Sequence, residues 1–453
     1  MSSFVHLHVH SHYSLLDGMS DISGLIDKAI RCKMPAIALT DHGNMFGVKE
    51  FFDYAKKKNK DGNIVKPILG CEVYVARRSH KYNNKNPERT KVDLNGWHLI
   101  LLAKNKTGYQ NLCKLVSTAW VDGEYGKPRI DKELLEKYHE GLIASSACLG
   151  GEIPQKLLGS AAKNVDDDEN KDSVADMVEI IQIPDENVQK AEEAILWYKS
   201  IFGDDFYLEL QRLKTDKIGG DQKVYRLQEA VNRVLVELAK KTGTKLVASN
   251  DVHFVEEEHG EAHDRLICLS TKMDFDSPKR MRYTKQEWLK TPDEMGKLFA
   301  DLPEALENTL EIADKIEYYD IDSDALMPMF PIPEEFGTEE SYRQKFTNED
   351  LAKEFGERYE HLGGYDKTVR IKLEADYLKK LTYEGAAGRY DNLTDDIRER
   401  IDFELETMKT MGYPGYFLIV EDFIRAAREM GVSVGPGRGS AAGSVTAYCL
   451  GIT

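Results

Sequence analysis

Short apolar runs recur along the first part of this sequence, and amphipathic stretches separate several of them. Few folds tolerate that rhythm. Residues 36–40, 71–76, 98–103, 141–145, 206–210 and 245–249 read as buried strands, with residues 67–70 leading into the second. Residues 21–32 and 224–241 read as helices, the first capped by Asp21 or Ser23. Strand–helix units repeated over about 270 residues fit an α/β barrel or a wound sheet. Residues 160–187 break the rhythm. They hold Asp166-Asp167-Asp168-Glu169 and few aromatics, which reads as a solvated acidic insertion. From about Tyr283 the texture changes to charged, mostly helical pieces at 293–316, 339–345, 348–361 and 366–390. A Met/Pro/Phe-rich linker at 325–333 marks a seam. The expected division is a domain at 1–282 and a second region at 283–453.

Composition narrows the class. The 453 residues carry 61 Lys and Arg against 78 Asp and Glu, a net charge of -17. That argues against nucleic-acid binding by overall charge but leaves room for a local basic groove. Arg77, Arg78, Lys81, Lys85 and Arg89 form one basic cluster, and Lys279, Arg280 and Arg282 another. Six cysteines are too few and too scattered for a disulfide scaffold, so a reducing, cytoplasmic setting is expected. No apolar run reaches the roughly 18 residues of a spanning helix, and the first residues have no signal-peptide pattern; no membrane role is expected.

The densest chemical signal is His6-Leu7-His8-Val9-His10-Ser11-His12. Residues two apart on a strand share a face, so His8 and His10 can offer two imidazoles to one metal. Further candidate ligands lie at strand ends. They are His42 in Thr40-Asp41-His42-Gly43, Glu72 in Gly70-Cys71-Glu72-Val73, His98, Cys148, and Asp251 and His253 in Asn250-Asp251-Val252-His253. Imidazole, carboxylate and one thiolate suit Zn, Mn or Fe better than Mg.

This order of motifs resembles the PHP (polymerase and histidinol phosphatase) family. The resemblance implies a distorted (β/α)7 barrel with a centre of up to three ions. It puts the ligands on His8, His10, Asp17, His42, Glu72, His98, Cys148, Asp251 and His253. His6 and His12 fall outside that set, His6 as an outer partner. His80, His139, His259, His263 and His361 are expected at the surface. Such a centre would hold a phosphate ester and lower the pKa of a bridging water, which is phosphoester hydrolysis. In a polymerase the family implies a 3′→5′ exonuclease.

Near the other end, Gly435-Pro436-Gly437-Arg438-Gly439-Ser440 is a phosphate-cradle type of loop without the lysine of a P-loop. With Met411-Gly412-Tyr413-Pro414-Gly415 before it and Ala447-Tyr448-Cys449-Leu450-Gly451 after it, it resembles the class C family of bacterial replicative DNA polymerases. The resemblance covers essentially the whole chain. It implies the first part of a polymerase-β-like nucleotidyltransferase palm, with Arg438, Gly439 and Ser440 on the incoming nucleotide's phosphates. It also implies Mg²⁺ in the whole palm, with primer-template DNA and dNTPs as substrates. The expected partners are a sliding clamp, a clamp loader and a proofreading exonuclease subunit. The family's catalytic aspartates would follow Thr453, so these 453 residues alone are expected not to polymerise, and the palm to fold incompletely around a split sheet. Asp320-Ile321-Asp322-Ser323-Asp324 lies in linker sequence and reads as a decoy. Two other readings stand beside this one: a phosphoesterase acting on a small monoester, and a non-catalytic scaffold for a proofreading subunit.

Overall fold

The computed structural model describes residues 3–62, 64–159, 181–323, 328–437 and 439–453. The chain separates into two compact units, 1–321 and 322–453. Residues 283–321, grouped in sequence with the linker, lie in the first unit. The acidic run at 166–169, Asp324 and Arg438 lie outside the described residues.

The first unit is built on eight strands: β1 (Ala36–Leu39), β2 (Lys66–Val75), β3 (Trp97–Ala103), β4 (Glu124–Tyr125), β5 (Lys127–Ile130), β6 (Leu142–Ser145), β7 (Phe206–Gln211) and β8 (Lys245–Ser249). β1 pairs parallel with β2, β6 with β7 and β7 with β8, whereas β3 runs antiparallel to both β2 and β6. Residues 4–10 close the ring. His6 and Val9 carbonyls accept from Ala38 and Thr40 of the β1 side; on the other side His8 O accepts from Val252 N–H, and His10 N–H donates to Val252 O, beyond β8. That segment with β1, β2, β3, β6, β7 and β8 makes a seven-membered barrel with one reversed strand.

Period-two alternation sorts the strand side chains. Outward residues such as Val73, Leu101, Leu208 and Ala248 pack beneath the helices Lys106–Asp122, Asp185–Phe202 and Gln222–Thr242. Inward residues Ile68, Leu102, Ile143, Tyr207 and Val247 fill one end of the barrel with Ile312 and Ile316. Moving along the same inward rows, the residues become Glu72, His98, Ser145, Glu209 and Ser249. The barrel is therefore apolar at one end and ionisable at the other.

Most expected elements are present, with instructive differences. Asp21 caps the first helix through Gly24 N–H. The approach at 67–70 and the strand from Cys71 are one strand, β2. The expected helix at 293–316 is two, Pro292–Leu298 and Pro303–Lys315, because Pro303 starts a new helix at its N-terminal position. Gly356, at φ 54°, divides the expected piece at 348–361. β4 and β5 were not anticipated.

The second unit, by itself, is helical. Its longest helix, Gly364–Arg389, packs with Asp395–Thr410, Pro414–Glu429 and Val445–Cys449 around Leu378, Ile401 and Leu418. Among its described residues there is no strand, so the expected split sheet has no counterpart there.

Barrel closure rests heavily on Thr40, whose hydroxyl accepts from Val9 N–H at 2.8 Å and donates to Val9 O at 3.1 Å. Thr40→Val strands a buried N–H while keeping the side-chain shape. It should cost about 1–3 kcal/mol, read as a lower denaturation midpoint with unchanged slope.

Candidate metal centre

Strand register brings the ionisable residues together. The β1–β2 pairing continues past Leu39 to set His42 beside Glu72. Across the antiparallel β2–β3 pair, His98 faces Tyr74 and so lies diagonal to Glu72. Because β3 is reversed, a residue at its start reaches the same barrel end as residues late in β2. A bridge from His98 to Gly151 brings in the loop carrying Cys148, and the Val9–Val252 bridge brings Asp251 and His253 to His8 and His10.

Glu72 is wholly buried at the middle. His42 Nδ1 lies 2.5 Å from its Oε2 and His98 Nδ1 lies 2.6 Å from its Oε1. His8 Nε2 and His10 Nε2 stand 3.6 and 3.5 Å from the same carboxylate, and 3.1 Å from each other. Asp251 Oδ1 is 3.0 Å from His8 Nε2, and Asp17 Oδ2 is 3.1 Å from His42 Nε2. The His253 ring lies 4.5 Å from that of His10. Cys148 Sγ is 3.5 Å from His98 Nδ1 and 3.9 Å from Glu72 Oε1. All nine expected residues thus meet in one pocket. Three triads have donor atoms within 4.8 Å of one another: His8, His10 and Glu72; His10, His42 and His253; and His42, Glu72 and His98. Asp17, Cys148 and Asp251 border these triads without belonging to one.

The donor chemistry fits divalent cations. Glu72 Oε2, His42 Nδ1 and Asp251 Oδ1 are buried without hydrogen-bond partners. Close approach without hydrogen-bond geometry, as between His42 Nδ1 and Glu72 Oε2, is what lone pairs aimed at a shared point produce. Burial penalises ionised Glu72, but His98 and His42 outweigh it and hold the carboxyl well below its usual range. Burial would likewise depress His42, yet Glu72 and Asp17 raise it to about 10. His8 is raised against the same burial by Asp251 and Glu209. His10, buried among His42 and His253, falls to about 3. Burial, then Asp251 and Glu72, pushes the Cys148 thiol up. Imidazoles thus face these carboxylates from several sides.

The backbone at the ligand loops is unusual. Leu16, Ala147 and Asp251 have φ of 59°, 59° and 48°. Left-handed backbone is costly for such residues, and here it sits next to Asp17, next to Cys148 and at Asp251 itself.

Residues 6–213 match the PHP domain family, and residues 376–453 match the family described as the bacterial DNA polymerase III alpha NTPase domain. The DNA polymerase III subunit alpha of Borreliella burgdorferi is 41% identical over 454 residues, covering 100% of this chain and 33% of that protein. Its counterparts from Treponema pallidum and Thermus aquaticus are 36% and 37% identical, covering 100% and 99% of this chain and 32% and 36% of their own. The chain belongs to the DNA polymerase III alpha subunit family. It spans about a third of the length of these relatives. Among solved structures, an amidohydrolase from Chromobacterium violaceum is a remote likeness, 12% identical with a TM-score of 0.28 over 56% of this chain and 88% of that one.

In this member of the family, several residues around the pocket escaped sequence reasoning. Glu209 accepts from His8 Nδ1 at 2.7 Å, Ser145 at 2.6 Å and Ser249 at 2.5 Å. It fixes which His8 nitrogen faces the pocket. A carboxylate inside an apolar strand, in step with inward Tyr207, was the available signal. Ser14 Oγ lies 2.9 Å from His10 Nδ1 and donates to Asp41, and Tyr283 OH donates to Asp17 at 2.7 Å. His263, expected at the surface, is buried and donates Nε2–H to Asp17 O at 2.8 Å. His80 is also buried, against one oxygen of Asp131, whose other oxygen caps the next helix through Leu134 N–H. His6 donates to Lys290 O at 2.8 Å, outside the triads.

In the second unit, Gly439 and Ser440 lie in an exposed turn of 3-10 helix, Gly439–Gly443. Gly439 has φ 72°, a conformation that favours glycine. The following short helix is anchored by Glu404, which accepts from Ser444 Oγ at 2.7 Å and Thr446 N–H at 2.9 Å.

Glu209→Ala should lower metal affinity about 10- to 100-fold, measured by competition with a chromogenic chelator, while the fold is retained. A separate pH effect comes from His6 and His263, both held near 4 by burial. Their folded values lie below the unfolded 6.5. The stability they permit is therefore complete above that value and is lost as pH falls towards 4, by up to about 1.4 kcal/mol per pH unit per group. His263→Asn should flatten the fall in unfolding free energy across that window by about one proton.

Proposed function

We propose that the first unit is a metal-dependent phosphodiesterase acting on the 3′ ends of DNA, in a protein whose wider activity is DNA-directed DNA synthesis. The observation that carries this is the buried Glu72 carboxylate, shared by imidazoles from three separate segments in overlapping donor triads. His8, His10, Asp17, His42, Glu72, His98, Cys148, Asp251 and His253 would hold up to three ions of Zn, Mn or Fe. Bound ions would neutralise the ester, lower the pKa of a water and stabilise the leaving oxygen.

The chain's own residues prepare that step. Glu209 keeps the His8 Nδ1 proton away from the pocket, so Nε2 is free to donate its lone pair. Ser14 does the same for His10, passing the hydrogen-bond chain on to Asp41. Tyr283 and His263 orient Asp17 through its carboxylate and its carbonyl. The apolar far end of the barrel keeps bulk water from reaching the ligands from beneath.

The same reading gives the second unit a nucleotide-phosphate role at Arg438, Gly439 and Ser440, with Mg²⁺ in the polymerase centre of the longer protein. Primer-template DNA, dNTPs, a sliding clamp, a clamp loader and a proofreading subunit are its proposed substrates and partners, in the cytoplasm. Among the described residues no helix is long and apolar enough to cross a membrane.

Purified without chelator, the chain should carry about two to three equivalents of Zn, Mn or Fe by elemental analysis, falling in His8→Ala/His10→Ala. The loaded chain should shorten a 5′-labelled single strand from its 3′ end, and chelation should stop it. Hydrolysis of histidinol phosphate but not DNA would favour the small-monoester reading. Metal below about half an equivalent after reconstitution, with neither substrate cleaved, would favour the scaffold.

A further inference from the structure

Beside the His42 loop lies a patch that the nine ligands do not explain. Phe46 and Trp120 are 57% and 46% exposed, yet their rings contact each other, with centroids 6.1 Å apart. Isolated exposed apolar residues are ordinary, but two large rings touching beside the His42 loop are not. Trp120 is also held in place. Its indole N–H donates to Gly43 O at 2.8 Å, and Gly43 directly follows His42. Gly43 has φ 61°, and a Cβ there would come within 2.8 Å of Pro128 and 3.0 Å of Tyr74. Only glycine lets the ligand loop, β5 and Trp120 come this close.

Pro128 brings Lys127 with it. Lys127 Nζ lies 5.3 Å from the Tyr74 ring centre, and the Tyr74 ring lies 6.1 Å from His42 and 5.1 Å from His98. Lys127 is exposed and pairs with no carboxylate among the described residues. Two touching rings, one of them tied to Gly43 O, and a lysine without a carboxylate partner therefore meet next to the histidine cluster. Rings offer a surface for a base of any sequence, and a cation offers a contact for a phosphate.

We propose that Phe46 and Trp120 form a stacking step for the terminal base of a single-stranded nucleic acid, with Lys127 on an adjoining phosphate. This rests on the phosphodiesterase reading above, and it supplies that reading with a substrate-selecting element. A small monoester lacking a base would leave the rings in water, whereas a strand end covers them and delivers its last linkage to the ligands.

The test uses the metal-loaded chain and a 5′-labelled oligothymidylate with a hydrolysis-resistant last linkage. A matched probe lacks only the terminal base. Fluorescence anisotropy should show the complete probe binding at least about five-fold tighter. Phe46→Ala should shrink that preference below about two-fold, and Trp120→Ala likewise, with Trp120→Phe restoring it. Phe46→Ala carries the test alone if Trp120→Ala proves unstable on melting, since only Trp120 bonds to Gly43. Lys127→Gln should weaken both probes equally and reduce the slope of log affinity against log salt by about one. Equal binding of the two probes, or a preference that survives Phe46→Ala, overturns the proposal. Cleavage of the ordinary oligonucleotide without a base preference would overturn this inference and leave the hydrolytic reading standing. A clear base preference without cleavage would do the reverse.

Discussion

A carboxylate with no access to solvent lies at the middle of the first unit, and its charge must be met from inside. Glu72 is fully buried, and an ionised carboxylate in that position is costly unless it is closely paired. The compensation comes from His8 and His10 on the N-terminal segment, His42 after β1 and His98 on β3. These segments become neighbours only when the barrel closes. Ring closure and charge balance are thus one problem, and Thr40 serves both by tying the first segment to β1. A cation bound among these groups would compete with protons for the same imidazoles.

Much of this barrel could be read directly. The parallel strands announced themselves as apolar runs because both of their faces are covered, the inner one by barrel contents and the outer one by helices. That these residues would gather at one site was legible because imidazoles spaced two apart, and polar residues at strand ends, are poor choices for a core. Strand direction was not legible. Periodicity is the same for parallel and antiparallel pairing, so nothing in Trp97–Ala103 signals that β3 is reversed. Yet that reversal puts His98 at the ionisable end. β4 and β5 escaped because they are short, and β5 opens with Lys127-Pro128. The expected helix at 293–316 is broken at Pro303, because proline lacks an N–H to continue a helix and starts a new one instead.

The outer partners were harder for a different reason. Glu209 is one charged residue in a strand of apolar neighbours, and its role depends on Ser145, Ser249 and His8 arriving from three other segments. Tyr283 fell beyond the expected boundary at 282, where the strand–helix rhythm ends. The compact unit nevertheless continues to Ile321, because the helix Pro303–Lys315 is needed to seal the apolar end of the barrel. A boundary drawn from rhythm marks where one kind of element stops. A boundary drawn from packing marks where burial stops, and the two differ here by the length of that seal.

Backbone conformation adds a last constraint on the centre. Leu16, Ala147 and Asp251 hold left-handed backbone without being glycine, and each is at or next to a residue of the pocket. Such conformations persist only where the surroundings over-determine them. Around Asp17 those surroundings are the bonds from Tyr283 and His263, and around Asp251 they are the paired carbonyls and amides that join residues 8–10 to Val252. The polar bonds that orient ligands and the backbone bonds that close the barrel therefore hold the same strained loops. The residues of the pocket are thus held in place by the same bonds that close the barrel's seam, and holding side chains in place is the pre-organisation that a binding site needs.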